Sequence, residues 1–141
     1  MSCVEYGMKN GYERSGVYET TDFKSRGEVQ IARFLEKTGI AYQYEYPQAL
    51  IDHGKTKIWY PDFRLPDYGM IVEYFGINGD PGYDSRTEHK IKAYNRAGIE
   101  GLFLKEKDLG GDWPGRILTQ IEDILKGRLD KFNNRAGREY E

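Results

Sequence analysis

Two acidic residues, Asp62 and Glu73, flank a turn in a stretch whose pattern sets them opposite each other. Residues 60–76 read Tyr-Pro-Asp-Phe-Arg-Leu-Pro-Asp-Tyr-Gly-Met-Ile-Val-Glu-Tyr-Phe-Gly. In Pro66-Asp67-Tyr68-Gly69, Pro presets φ, Asp bonds its own backbone and Gly accepts positive φ, which is turn chemistry. If Leu65 and Met70 close the turn as facing residues, Phe63 faces Val72 and Asp62 faces Glu73. Directly opposed residues hold their Cβ atoms about 4.5–5.5 Å apart, where like charges destabilise a sheet. Such a pair calls for a cation, and hard carboxylate oxygens suit Mg²⁺ or Mn²⁺, ions that keep waters and share coordination with phosphate. A lysine from a neighbouring helix completes the parts for metal-assisted phosphodiester hydrolysis. The ion polarises the phosphoryl oxygen and acidifies a water, while the lysine orients that water or offsets charge in the transition state. A glycosidase-type acid/base pair fits less well, because opposed carboxylates favour a shared ion over two separated pKa values.

The elements that must position this pair follow from periodicity. Ile31, Ala32 and Leu35 recur at helical spacing and Gly39 sits where a helix ends, so residues 25–39 read as a first helix. Glu28 lies on its apolar stripe and has two compatible readings. It completes a capping box, Ser25-x-x-Glu28, or it is a third acidic group at the site. Tyr42, Tyr44 and Tyr46 alternate with Gln43 and Glu45 at strand period over 41–46, and Pro47 stops that strand. A polar loop through Asp52, His53 and Gly54 follows, and residues 57–60 lead into the hairpin. Three antiparallel strands are thus expected after one helix.

Residues 77–82 read as a loop and residues 84–97 as a second helix ending at Gly98. Arg86, Lys90, Lys92 and Arg96 make this the most basic element, and Tyr83, Lys90 and Tyr94 share one of its faces. Residues 101–104 form a short apolar strand. A third helix starts at Pro114, with Ile117, Leu118, Ile121 and Leu125 as its stripe and Gly127 near its end. Residues 1–24 show no sustained period and read as an arm, and residues 127–141 as a charged tail. The order α-β-β-β-α-β-α, with a right-handed crossover back into the sheet, predicts an α/β domain over 25–126 whose mixed central sheet is flanked by helices. Ligand sites in such sheets gather at strand ends.

Composition narrows the setting. The chain has 141 residues, enough for one domain with a single core, and a formal net charge of -2, so nucleic acid must be met by a local basic patch. Aromatic residues at 14% supply large half-buried surfaces although mean hydropathy is only -0.78. Cys3 is the single cysteine, which excludes an internal disulfide and a cysteine-rich zinc site. With no apolar run of membrane-spanning length and no signal-peptide pattern, a soluble cytoplasmic protein is expected, without membrane contact.

Glu28 on a helix, then Pro61-Asp62, then Glu73 on the next strand, within α-β-β-β-α-β order, resembles the PD-(D/E)XK nuclease superfamily. Tyr60-Pro61-Asp62-Phe63 and Val72-Glu73-Tyr74 are also similar to nuclease modules of its mismatch-endonuclease and helicase-associated branches. The resemblance implies a restriction endonuclease-like αβββαβ core and a Mg²⁺- or Mn²⁺-dependent endonuclease that hydrolyses DNA. It also implies a homodimer, with Holliday junction resolution, mismatch or repair nicking and restriction-like cleavage all open. By position, Asp62, Glu73 and the backbone carbonyl of Tyr74 correspond to metal ligands. The family's lysine belongs two residues after the glutamate, where this chain has Phe75. Some branches move it to the following helix, which makes Lys90 the candidate, with Lys92 second because it is turned about 200° away. If neither reaches the pair, the chain is a catalytically inactive DNA-binding module retaining the fold. Tyr83, Arg86, Lys92 and Arg96 are candidates for phosphate contact or base stacking, against the plainer reading of packing tyrosines on a solvated basic face. His53 and His89 read as surface residues.

Overall fold

The computed structural model describes residues 23–76 and 79–139, so nearly all of the expected N-terminal arm lies outside the described residues. Helix α1 spans Arg26–Thr38. The Ser25 side chain accepts from the Glu28 N–H at its start, and Gly39, at φ 74°, donates its N–H to the carbonyls of Glu36 and Leu35 at its end. These satisfy orphan backbone groups at both termini. The buried face of α1 carries Ile31, Ala32, Phe34 and Leu35.

Strand β1 is only Gln43–Tyr44, shorter than the expected 41–46, because Glu45 takes φ 53° and turns the chain away. The next stretch departs from expectation. In place of a polar loop, β2 (Gln48–Asp52) and β3 (Lys55–Trp59) pair antiparallel as a separate two-stranded ribbon. Its tight turn is His53-Gly54, both at positive φ, the backbone that a two-residue hairpin with the right twist requires. Five strands therefore lie between the first two helices.

Strands β4 (Phe63–Leu65) and β5 (Met70–Phe75) form the hairpin in the expected register, with Phe63 opposite Val72 and Leu65 opposite Met70. Helix α2, Pro81–Arg96, starts three residues earlier than its sequence pattern indicates, capped by Asp80. It carries the chain to β6 (Gly101–Lys105), which runs parallel to β5. The sheet order is β1-β4-β5-β6, a mixed sheet within an α/β fold. Phe63, Leu65, Met70, Val72, Leu102 and Leu104 join residues of α1 and the last helix in one core cluster. Each such apolar side chain, fully buried, contributes about 1.5–3 kcal/mol.

Helix α3 spans Trp113–Glu139 and runs straight through Gly127, so the expected charged tail is instead largely helical. Ile117 and Ile121 anchor its first half in the core. Beyond Gly127, Arg128 holds it to the hairpin turn, donating to the carbonyls of Tyr68 and Gly69 and pairing with Glu100. Among the described residues no helix is long and apolar enough to cross a membrane.

Candidate functional site

The extended hairpin register carries Asp62 to Glu73, and two backbone bonds lock them. The Asp62 N–H donates to Glu73 Oε1 at 3.1 Å, and the Tyr74 N–H donates to Asp62 Oδ2 at 2.7 Å. Tyr74 thus meets the pair through its N–H. Both carboxylates are buried, Asp62 at 6% exposure and Glu73 at 2%. Burial, and then the neighbouring charge of Glu73, push the Asp62 carboxyl up to about 7, with the Tyr74 N–H pulling the other way.

Two helices bring the remaining groups. From α2, Lys90 places Nζ 3.0 Å from Glu73 Oε2, and Tyr94 donates its hydroxyl to the same oxygen at 3.1 Å. The face shared by Tyr83, Lys90 and Tyr94 is therefore turned to the pair, and buried Thr87 lies on it as well. Lys92 is exposed and outside the cleft. At the start of α1, Glu28 both faces the cleft and takes part in the helix start. Its N–H is capped by Ser25, while its Oε1 accepts the Lys24 N–H at 3.0 Å and the Tyr44 hydroxyl at 2.5 Å. The capping and acidic-group readings of Glu28 thus coexist, with the carboxylate one residue short of a reciprocal box.

Glu28, Asp62, Glu73, Thr87 and Lys90 line a cleft of about 750 Å³ between the N-terminal ends of α1 and α2 and the end of β5. Its buried acids are Glu28, Asp62 and Glu73, and its exposed lining includes Lys24, Arg26 and Arg86. Lys24 Nζ reaches Glu45 at 2.7 Å and Asp62 Oδ1 at 3.8 Å. Burial would lower its pKa, but Glu45, Asp62 and Glu28 together raise it. Arg86 stacks 5.8 Å over the Tyr83 ring, whose phenol is pushed up by burial and then by Asp62 and Glu73. The arrangement is an acidic floor under a basic rim.

The donor set can be compared with what a hard dication needs. Among the described residues, Asp62 Oδ1 has only the Lys24 ammonium at 3.8 Å as partner, and on the buried floor three acids meet one half-buried lysine, below the exposed Lys24, Arg26 and Arg86 of the rim. That charge imbalance suits Mg²⁺ or Mn²⁺. Among the described residues no group of three or more His, Cys, Asp or Glu side chains is drawn together in ligating geometry. Two carboxylates alone would suit an ion that keeps most of its waters, as Mg²⁺ does.

Of the residues singled out from sequence, Glu28, Asp62, Glu73, Tyr74, Tyr83, Arg86 and Lys90 line the cleft. Arg96 does not, because its guanidinium sits 2.7 Å from Asp52 on the ribbon. Sequence reasoning left out Lys24, Arg26, Tyr44 and Thr87. The helical stripe through Tyr83 and Lys90 was a signal for Thr87, and the Tyr42-Tyr44 alternation one for Tyr44. Nothing local marked Lys24 or Arg26. No family model matches this chain, and neither a characterised protein nor a solved structure matches it.

Proposed function

We propose that this chain is a divalent-metal-dependent endonuclease that hydrolyses DNA phosphodiester bonds on a restriction endonuclease-like core. The observation that carries the reading is the position of Lys90. The strand position expected to hold a lysine is filled by buried Phe75, and the ammonium of Lys90 arrives from α2 at 3.0 Å from Glu73. Glu73 and Asp62 are the groups that would hold Mg²⁺ or Mn²⁺, which when bound supplies Lewis-acid polarisation of a phosphoryl oxygen and lowers the pKa of water. Lys90 carries the positive charge that offsets negative charge building on the phosphate. Lys24, Arg26 and Arg86 on the rim hold neighbouring phosphates, which answers how a protein of net charge -2 meets nucleic acid. Branched junctions, nicks and mismatches are the substrates to try first, since a two-fold dimer would present two such clefts.

The second reading is a catalytically inactive DNA-binding module, and Phe75 is the observation behind it. Incubation with Mg²⁺ or Mn²⁺, supercoiled plasmid and synthetic four-way junctions decides between them, beside Asp62→Ala and Lys90→Ala. Metal-dependent cutting by the wild type that is lost in Asp62→Ala supports the enzyme. DNA binding with no cutting under either ion selects the silent module. Cutting retained in Lys90→Ala rejects the role given to that lysine.

A further inference from the structure

Glu73 receives more donors than its neighbours on the cleft floor. Oε1 accepts the Asp62 N–H, and Oε2 takes both Lys90 and the Tyr94 hydroxyl. Tyr94 is itself fully buried and clamped. The Trp59 ring meets it edge-on at 5.1 Å from β3, and Phe103 stacks on it at 6.0 Å from β6. The ribbon that supplies Trp59 is fastened to α2 two residues beyond Tyr94, where Arg96 bonds Asp52 Oδ1 at 2.7 Å and Lys57 holds the other Asp52 oxygen at 3.1 Å. A chain of contacts therefore runs from the ribbon through Trp59 and Tyr94 to Glu73.

We infer that Tyr94 is a positioning residue that orients the Glu73 carboxylate toward Asp62, and that the β2–β3 ribbon is the brace that holds Tyr94 in place. A buried phenol could satisfy its donor on any backbone carbonyl. Here it is directed at the carboxylate oxygen that Lys90 also uses, so its removal leaves Glu73, among the described residues, with the flexible Lys90 as its side-chain partner. Groups that orient ligating carboxylates are typically worth about 10–100-fold in metal affinity or activity. The inference rests on the reading of Asp62 and Glu73 as a divalent-metal centre.

The test is Mn²⁺ affinity, read from the electron paramagnetic resonance signal of the free ion without nucleic acid, for the wild type, Tyr94→Phe, Trp59→Ala and Asp62→Ala. Plasmid cleavage and thermal melting are run on the same proteins. Tyr94→Phe should bind Mn²⁺ about 10–100-fold more weakly or lose kcat by that factor, with KM for DNA unchanged. Trp59→Ala, which leaves the hydroxyl but removes its brace, should fall between the wild type and Tyr94→Phe. A hydroxyl that is merely structural would lower the melting temperature and leave Mn²⁺ affinity and kcat of the folded protein alone, and that result overturns the inference. If Tyr94→Phe does not fold, Trp59→Ala decides by the same two readouts. A wild type that binds Mn²⁺ beside an unchanged Tyr94→Phe removes only the positioning role. A wild type that binds no Mn²⁺ removes the metal centre, and the role with it.

Discussion

Asp52 and Asp62 are both buried aspartates, and their surroundings drive them in opposite directions. Asp52, on the ribbon, has Arg96 on one oxygen and Lys57 on the other, with His53 at 3.7 Å. The Arg96 bond, followed by Lys57 and acting against burial, holds its carboxyl down at about 2. Asp62 has Glu73 and Glu28 for neighbours and the Lys24 ammonium at 3.8 Å, and its carboxyl is pushed up. One site is electrostatically closed and the other is open. Closed sites of this kind fasten elements together, as Asp52 fastens the ribbon to α2. An unbalanced one, set in a cleft, marks a candidate functional site.

The largest effect belongs to the open site: Asp62→Ala should abolish metal-dependent cleavage, and Lys90→Ala should cost about 10²–10³-fold, the usual range for a group that stabilises charge at a reacting centre. Asp52→Ala should leave metal binding measurable but lower the melting temperature, because Arg96 and Lys57 lose the partner that ties the ribbon down. Asp62→Asn should raise the melting temperature of the metal-free protein at pH 8. Its amide oxygen still accepts the Tyr74 N–H while the repulsion with Glu73 is gone.

The smallest effect is a pH slope, with opposite sign at the two sites. The folded-state pKa of Asp52 is depressed, so its stabilising contribution is present above the ordinary carboxylate value and is lost as pH falls toward about 2. The folded-state pKa of Asp62 is raised, so between 3.8 and about 7 the native state binds the extra proton and stability falls as pH rises. Denaturant titrations of metal-free protein across that interval should show the downward slope in the wild type and lose it in Asp62→Asn.

Much of the open site was legible because its determinants are local. Turn chemistry at 66–69 sets the β4–β5 register, and with it the meeting of Asp62 and Glu73. The family resemblance pointed to this helix, and helical periodicity separated Lys90, on the face of Tyr83 and Tyr94, from Lys92; Lys90 is the one that reaches Glu73. The closed site was not legible, because Asp52 and Arg96 lie 44 residues apart and nothing local relates them. The ribbon escaped for a different reason. Its Ile51 and Ile58 are exposed at 63% and 58% while Leu50 is buried, so apolar residues lie on both faces and no alternation marks the strands. The end of α3 was misplaced because Gly127 reads as a stop, whereas the helix is carried past it by Arg128 reaching back to the turn at Tyr68 and Gly69. Tertiary contacts outweighed a local propensity worth only about 1 kcal/mol.

Whether Asp62 and Glu73 together hold a divalent ion beside Lys90 is read most directly from an anomalous difference map of crystals grown with Mn²⁺. The expected result is a single strong peak roughly 2.0–2.2 Å from carboxylate oxygens of both Asp62 and Glu73, absent in Asp62→Ala. A map with no peak in this cleft, or with Mn²⁺ bound only elsewhere, would contradict such a centre.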